Sequence, residues 1–159
     1  MTAVRVDPDD VCYSAGINAC EKCRQWQWAL SLLYRMRQIR CDPTDFSYSG
    51  AVSACEQGGQ WQMAVSLLSD MWDTSVGPNT VSVNAGMRAC QKSGQWWQSL
   101  ALLTRLRDGM AEPDANSYSA GITACEKGGR LHQALTLLSQ VRDTSLGSDS
   151  IGCCAAICA

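Results

Sequence analysis

Apolar residues recur along this chain at two alternating helical spacings. Tyr13, Ile17 and Cys20 follow one another by four and then three residues, and Tyr48, Val52, Cys55 and Tyr118, Ile122, Cys125 repeat the step. Such spacings place side chains on one face of a helix, so each set predicts a short first helix of about three turns with a single apolar stripe. A second set, Trp26, Ala29, Leu30, Leu33 and Met36, is echoed by Trp61, Ala64, Val65, Leu68 and Met71. It predicts a second amphipathic helix. Gly58–Gly59 and Gly128–Gly129 stand between the two patterns, where glycine suits the left-handed backbone that closes helices. Each second helix then runs toward Pro43, Pro78 or Pro113, which is expected to stop it.

The alternation is a repeat. ACEKCRQWQWALSLLYRM, from Ala19 to Met36, returns in close variants from Ala54, from Ala89 and from Ala124, and Cys20, Cys55, Cys90 and Cys125 fall 35 residues apart with no insertion. A register this strict means that one unit is being stacked. The units are framed as 10–44, 45–79, 80–114 and 115–149, with 150–159 opening a fifth. No linker or low-complexity segment divides them, so they are expected to form one continuous array. A single pair of short helices has too little core to offset its conformational entropy, and stacking supplies the rest. Trp26, Trp61 and Trp96, each at the start of a second helix beside the Ala and Leu stripe, read as filler between helices rather than as exposed stacking platforms.

Composition narrows the function classes. No run of 18 apolar residues exists, so no membrane span is expected, and the start MTAVRVDPDD resembles neither a secretory signal nor a transit peptide. A formal charge of -2 argues against a generic polyanion binder, so any nucleic-acid reading must rest on local charge. Ten cysteines would suit a disulfide scaffold. Four of them, however, are the repeated cysteine, and equivalent positions of stacked units lie on the order of 10 Å apart, too far to bridge. They read as small buried apolar residues. Cys20 and Cys23 form a CEKC pair, but the other units place Gly58, Ser93 and Gly128 at the second position and no further ligands complete a zinc site.

Catalytic chemistry is not expected. A repeat sets the same residues in a line, whereas catalysis needs a converging set. The single histidine, His132, sits where the other units carry Gln27, Gln62 and Trp97, and reads as a solvated side chain. Glu21–Lys22 and Glu126–Lys127 read as a solvated helix face. There is no phosphate-cradling glycine loop and no deaminase-type zinc motif. No catalytic residue, metal, cofactor or small-molecule substrate is expected.

The 35-residue unit closes in Pro followed by Asp or Asn and opens on a Tyr-Ser or Val-Asn step. Tyr13-Ser14, Pro43-Thr44, Tyr48-Ser49, Pro78-Asn79, Val83-Asn84, Pro113-Asp114 and Tyr118-Ser119, with the stretch Ala29 to Met36, resemble the pentatricopeptide repeat. The likeness runs from Asp10 to Asp149 and departs at Thr44, where Asp or Asn is commoner, and at Ser148, where proline is expected. The tetratricopeptide repeat is shorter by one residue and carries a W-x-x-L-G-x-x-Y signature that is missing here.

The resemblance implies an all-α, right-handed superhelical solenoid of helix-turn-helix units that reads single-stranded RNA one base per repeat, with first helices on the concave face. It further implies base recognition by the fifth and last residues of each unit: Ser14 with Thr44, Ser49 with Asn79, Asn84 with Asp114, and Ser119 with Asp149. Ser49–Asn79 would favour adenine, Asn84–Asp114 uracil and Ser119–Asp149 guanine, giving A-U-G from 5′ to 3′, while Ser14–Thr44 is unassigned. Val11, Phe46, Val81 and Asn116 would wedge between bases, and Lys22, Lys92 and Lys127 would contact phosphates. By local count, the first helices and their turns carry Lys22, Arg24, Arg88, Lys92, Lys127 and Arg130 against Glu21, Glu56 and Glu126. The implied role is an adaptor in chloroplast or mitochondrial RNA processing, editing or stability, alongside other organelle RNA-processing proteins. The alternative is a tetratricopeptide-like protein-binding scaffold.

Overall fold

The computed structural model describes residues 10–39, 41–74, 76–109 and 112–143. They form helices of 13 residues: α1 Asp10–Lys22, α2 Trp26–Gln38, α3 Asp45–Gln57, α4 Trp61–Asp73, α5 Thr80–Lys92, α6 Trp96–Asp108, α7 Ala115–Lys127 and α8 Leu131–Asp143. No strand is found among the described residues, and none of these helices is long and apolar enough to cross a membrane. Asp149, Ser148 and the opening of a fifth unit lie outside the described residues.

Each first helix ends in the same way. The Cys55 carbonyl accepts the Gln60 N–H at 2.9 Å and the Glu56 carbonyl accepts the Gly59 N–H at 3.2 Å, with Gly59 left-handed at φ 69. This paired closure is the Schellman arrangement, which satisfies carbonyls that a helix end would otherwise orphan. The same pair recurs from Cys20, Cys90 and Cys125. The left-handed residue is thus Arg24, Gly59, Gly94 or Gly129, the second position of each turn. Gly58 and Gly128 stay right-handed and are small for another reason. A Cβ there would lie 2.3 Å from Trp26 Cδ1 and 2.4 Å from Trp96 Cδ1, so each of these rings presses on the turn of the next unit.

Arg24, at φ 56, is the non-glycine residue in this series. A Cβ in that backbone region costs about 1–2 kcal/mol, partly offset by the greater chain entropy that glycine would lose. Arg24→Gly is therefore expected to stabilise the array by about 0.5–1 kcal/mol. A urea midpoint that stays put or falls would mean that the Arg24 side chain contributes more than its backbone strain costs.

The prolines act differently from the sequence expectation. α2, α4 and α6 end at Gln38, Asp73 and Asp108, five residues before Pro43, Pro78 and Pro113. Proline here precedes the N-cap of the following helix and sets its entry rather than stopping the one before. The caps themselves are Thr44, Asn79 and Asp114, in extended backbone, with side chains accepting from the N–H of Ser47, Ser82 and Ser117.

The core runs the length of the stack. First helices pack in a row, α1 on α3, α3 on α5 and α5 on α7, and second helices pack against their own first helix and the next one. Direct packing between successive second helices is slight, so the row of first helices is the continuous spine of the stack. Val52, Cys55, Leu68, Met71, Val83, Met87 and Cys90 are fully buried. Gly86 lets the units close: a Cβ there would lie 2.4 Å from Leu68 Cδ1. Tyr13 and Cys20 of the predicted stripe are only half-buried; among the described helices α1 packs on α2 and α3, whereas α3 has first-helix neighbours on both sides.

Candidate functional site

The second residue of each first helix points outward. Val11, Phe46 and Val81 are 67%, 57% and 68% exposed, and Asn116 is exposed at the same register. Large apolar side chains left in water at one repeated position along the row of first helices are available to a flat apolar partner. Phe46 and Val81 border a cavity of about 370 Å³ whose wall includes Ser49, Asn79, Asn18, Glu21 and Arg88. The fifth and last residues of the second unit therefore meet in one recess, between the side chains expected to wedge.

That recess contains unspent hydrogen-bonding capacity. Ser49 Oγ is buried without a partner, an arrangement that costs free energy unless a ligand supplies one. Asn79 Oδ1 accepts the Ser82 N–H at 2.8 Å, so this oxygen caps α5 and the amide NH₂ remains as a donor. One residue thus starts a helix and faces the cavity.

The neighbouring pairs are satisfied internally. In the first unit Ser14 Oγ and Thr44 Oγ1 both reach Ser47 Oγ, at 2.8 and 3.2 Å. In the third, Asn84 Nδ2 donates to Asp114 Oδ1 at 3.0 Å and Ser117 Oγ donates to Asn84 Oδ1 at 2.7 Å. Burial alone would raise the Asp114 carboxyl. The Ser117 N–H, the Asn84 amide, the Ser117 hydroxyl and the Asn116 amide outweigh it and hold the group below its usual range. Ser119 is half-buried, and its expected partner Asp149 lies outside the described residues.

The three expected phosphate lysines close α1, α5 and α7 and are exposed, yet they are not equivalent. Lys92 Nζ is 2.9 Å from Glu56 Oε1, and Arg88 Nε donates to Glu56 Oε2 at 3.1 Å. Glu56 is 4% exposed. The local charge count therefore overstates the free positive charge, because one of its acids holds two of its bases. Sequence periodicity along a single helix missed this clamp, whose partners stand 32 and 36 residues away on the next unit. Arg130 is also engaged, stacking on Trp96 at 4.7 Å from the ring centre.

The buried repeat thiols are poor nucleophiles. Cys55, Cys90 and Cys125 are buried and free, and burial pushes Cys55 to about 11 and Cys90 to about 12 and raises Cys125. Among the described residues no group of three or more His, Cys, Asp or Glu could hold a metal ion. Trp26 and Trp61 pack partly buried against the core, as filler should.

Residues 11–41 and 46–74 match the family model described as PPR repeat. No curated protein sequence matches the chain significantly. Among solved structures, the chain is similar to the PPR domain of Arabidopsis thaliana protein-only RNase P 1, crystallised in complex with tRNA, with TM-score 0.77, 11% identity, and coverage of 92% of this chain and 77% of that one. The pentatricopeptide repeat protein PPR10 from maize gives TM-score 0.72 and 24% identity over 92% of this chain. PPR10 in complex with an 18-nt psaJ RNA element gives 0.73 and 20% over 91%. The chain spans 21% of PPR10 in both cases. At these identities the likeness is one of fold. The first two units match the pentatricopeptide repeat model, and the fold of pentatricopeptide repeat structures extends over 92% of the chain.

Proposed function

We propose that the chain is a sequence-selective single-stranded RNA-binding adaptor, without catalysis of its own, that serves RNA processing, editing or stability in a chloroplast or mitochondrion. The observation that carries the reading is the cavity in which Ser49 Oγ and the Asn79 amide stand between Phe46 and Val81. It offers two hydrogen-bonding groups at the back and apolar surfaces on both sides, which suits one unstacked base. The solved relatives crystallised with tRNA and with an 18-nt RNA element support the same class of ligand. The four units take one base each, with A-U-G preferred across the second to fourth, and Lys22 and Lys127 hold the backbone.

Fluorescence anisotropy with a labelled single-stranded RNA tests this reading. Affinity is expected to fall with salt, and Lys22→Ala and Lys127→Ala are each expected to flatten the log–log slope by about 0.7, one phosphate contact apiece. Binding that ignores salt, or a preference for duplex over single strand, would sink the proposal.

A further inference from the structure

The joint between the second and third units holds one acid and two bases in a fixed group. Glu56 on α3 lies beneath Arg88 and Lys92 on α5, its own side chain 5% exposed while theirs are 44% and 47% exposed. One carboxylate oxygen faces Arg88 at 3.1 Å and the other faces Lys92 at 2.9 Å. Two oxygens held by a guanidinium and an ammonium are also what a backbone phosphate presents and receives. Arg88 belongs in addition to the wall of the Ser49–Asn79 cavity.

The other joints differ at this register. Glu21 is followed at the same offsets by Ser53 and Gln57, and it accepts the Ser53 hydroxyl at 2.7 Å without an ion pair among the described residues. At the third joint the acid is replaced by Gln91, with Thr123 and Lys127 at the matching positions. Lys127 is exposed and makes no ion pair among the described residues.

We infer that Glu56 is an internal stand-in for an RNA phosphate. It occupies Arg88 and Lys92, so that the backbone grip of the array falls on Lys22 and Lys127, and the second joint engages phosphate only when the carboxylate is displaced or neutralised. The inference rests on the RNA-binding reading and deepens it, because it makes the phosphate grip uneven along the array by a residue that touches no nucleotide. Neutralising Glu56 frees two cations beside a cavity that already takes a base. Installing an acid at Gln91 captures Lys127 by the same geometry.

The test compares the unmodified 159-residue chain with Glu56→Gln, Gln91→Glu and Glu126→Gln, using a fluorescein-labelled single-stranded 12-nucleotide RNA that contains A-U-G. Glu126→Gln removes the same charge from an exposed acid that makes no ion pair among the described residues. Glu56→Gln is expected to steepen the salt slope by about 0.7–1.4 and to tighten binding about fivefold per freed contact at 0.1 M salt. Gln91→Glu is expected to flatten the slope by about 0.7, with Glu126→Gln close to the unmodified chain. Thermal melts followed by circular dichroism confirm that each variant is folded. If Glu56→Gln does not fold, the change at half-buried Gln91, Gln91→Glu, decides alone. A Glu56→Gln slope no steeper than that of Glu126→Gln, or a Gln91→Glu slope unchanged, overturns the inference while leaving RNA binding intact. Failure of the unmodified chain and every variant to bind RNA at low salt overturns both.

Discussion

Leu68→Ala is expected to cost about 3 kcal/mol and to split the unfolding of the array into two steps. Leu68 is fully buried on α4, and its Cδ1 occupies the space that a side chain at Gly86 of the next unit would need. Truncation leaves a cavity that the flanking helices cannot close, because Met71 and Val83 are already fully buried in the same core and Gly86 has no atoms to offer. The loss falls on a joint, and in a stack whose contacts link adjacent units a joint carries the cooperativity. The two halves should then unfold separately. Urea titration followed by circular dichroism and by tryptophan fluorescence checks this, since Trp26, Trp28, Trp61 and Trp72 lie in the first half and Trp96 and Trp97 in the second. A single coincident transition with a loss under about 1 kcal/mol would show that the joint repacks as volume-tolerant cores do.

The same joint shows what the sequence could and could not reveal. Both helices of each unit were legible, because each stripe is written locally at spacings of three and four. The turn was half legible. Paired glycines announced a helix end, but which of them is left-handed depends on the Schellman register, and the other is small because Trp26 or Trp96 of the preceding unit lies against it. Glu56 was not legible. Its burial comes from bases 32 and 36 residues downstream, and as a Cys-Glu step it looks like Glu21 and Glu126, which face no cation in the same way. Pattern within one unit describes that unit's faces; pairing across a joint depends on which residues the neighbour has drifted to.

The residues expected to read bases divide along similar lines. Phe46 and Val81, expected as wedges, and Ser49 and Asn79, expected as a base-reading pair, line one cavity. Their second duty was hidden: the closing residue of each of the first three units is also the N-cap of the next first helix. Caps favour short side chains with an accepting oxygen, such as Asn, Asp, Ser and Thr. The helix start therefore limits the closing residue to a small alphabet whose members differ in what they leave free for a ligand.

That limit makes Asn79→Asp an unusually clean exchange. Asp114 occupies the same register in the next unit and caps α7 from its Oδ1, accepting the Ser117 N–H at 2.8 Å, so an aspartate in place of Asn79 should still start α5. What changes is the group turned to the cavity: an amide NH₂ donor becomes a carboxylate oxygen that only accepts. Adenine offers an unprotonated ring nitrogen on its Watson-Crick edge, which an amide can donate to. Guanine offers a ring N–H and an amino group, which a carboxylate can accept from. With Ser49 free to turn its hydroxyl to either base, the second unit is expected to shift from adenine toward guanine. One good base contact is worth about 1–3 kcal/mol, a preference of about 5- to 150-fold. In vitro selection from randomised RNA, run on a longer array of these units with and without the Asn79→Asp exchange in the second, measures the change directly. If both arrays return the same base at that position, the cavity between Phe46 and Val81 does not read RNA by this pair, and a protein-binding scaffold becomes the better account of the exposed apolar row.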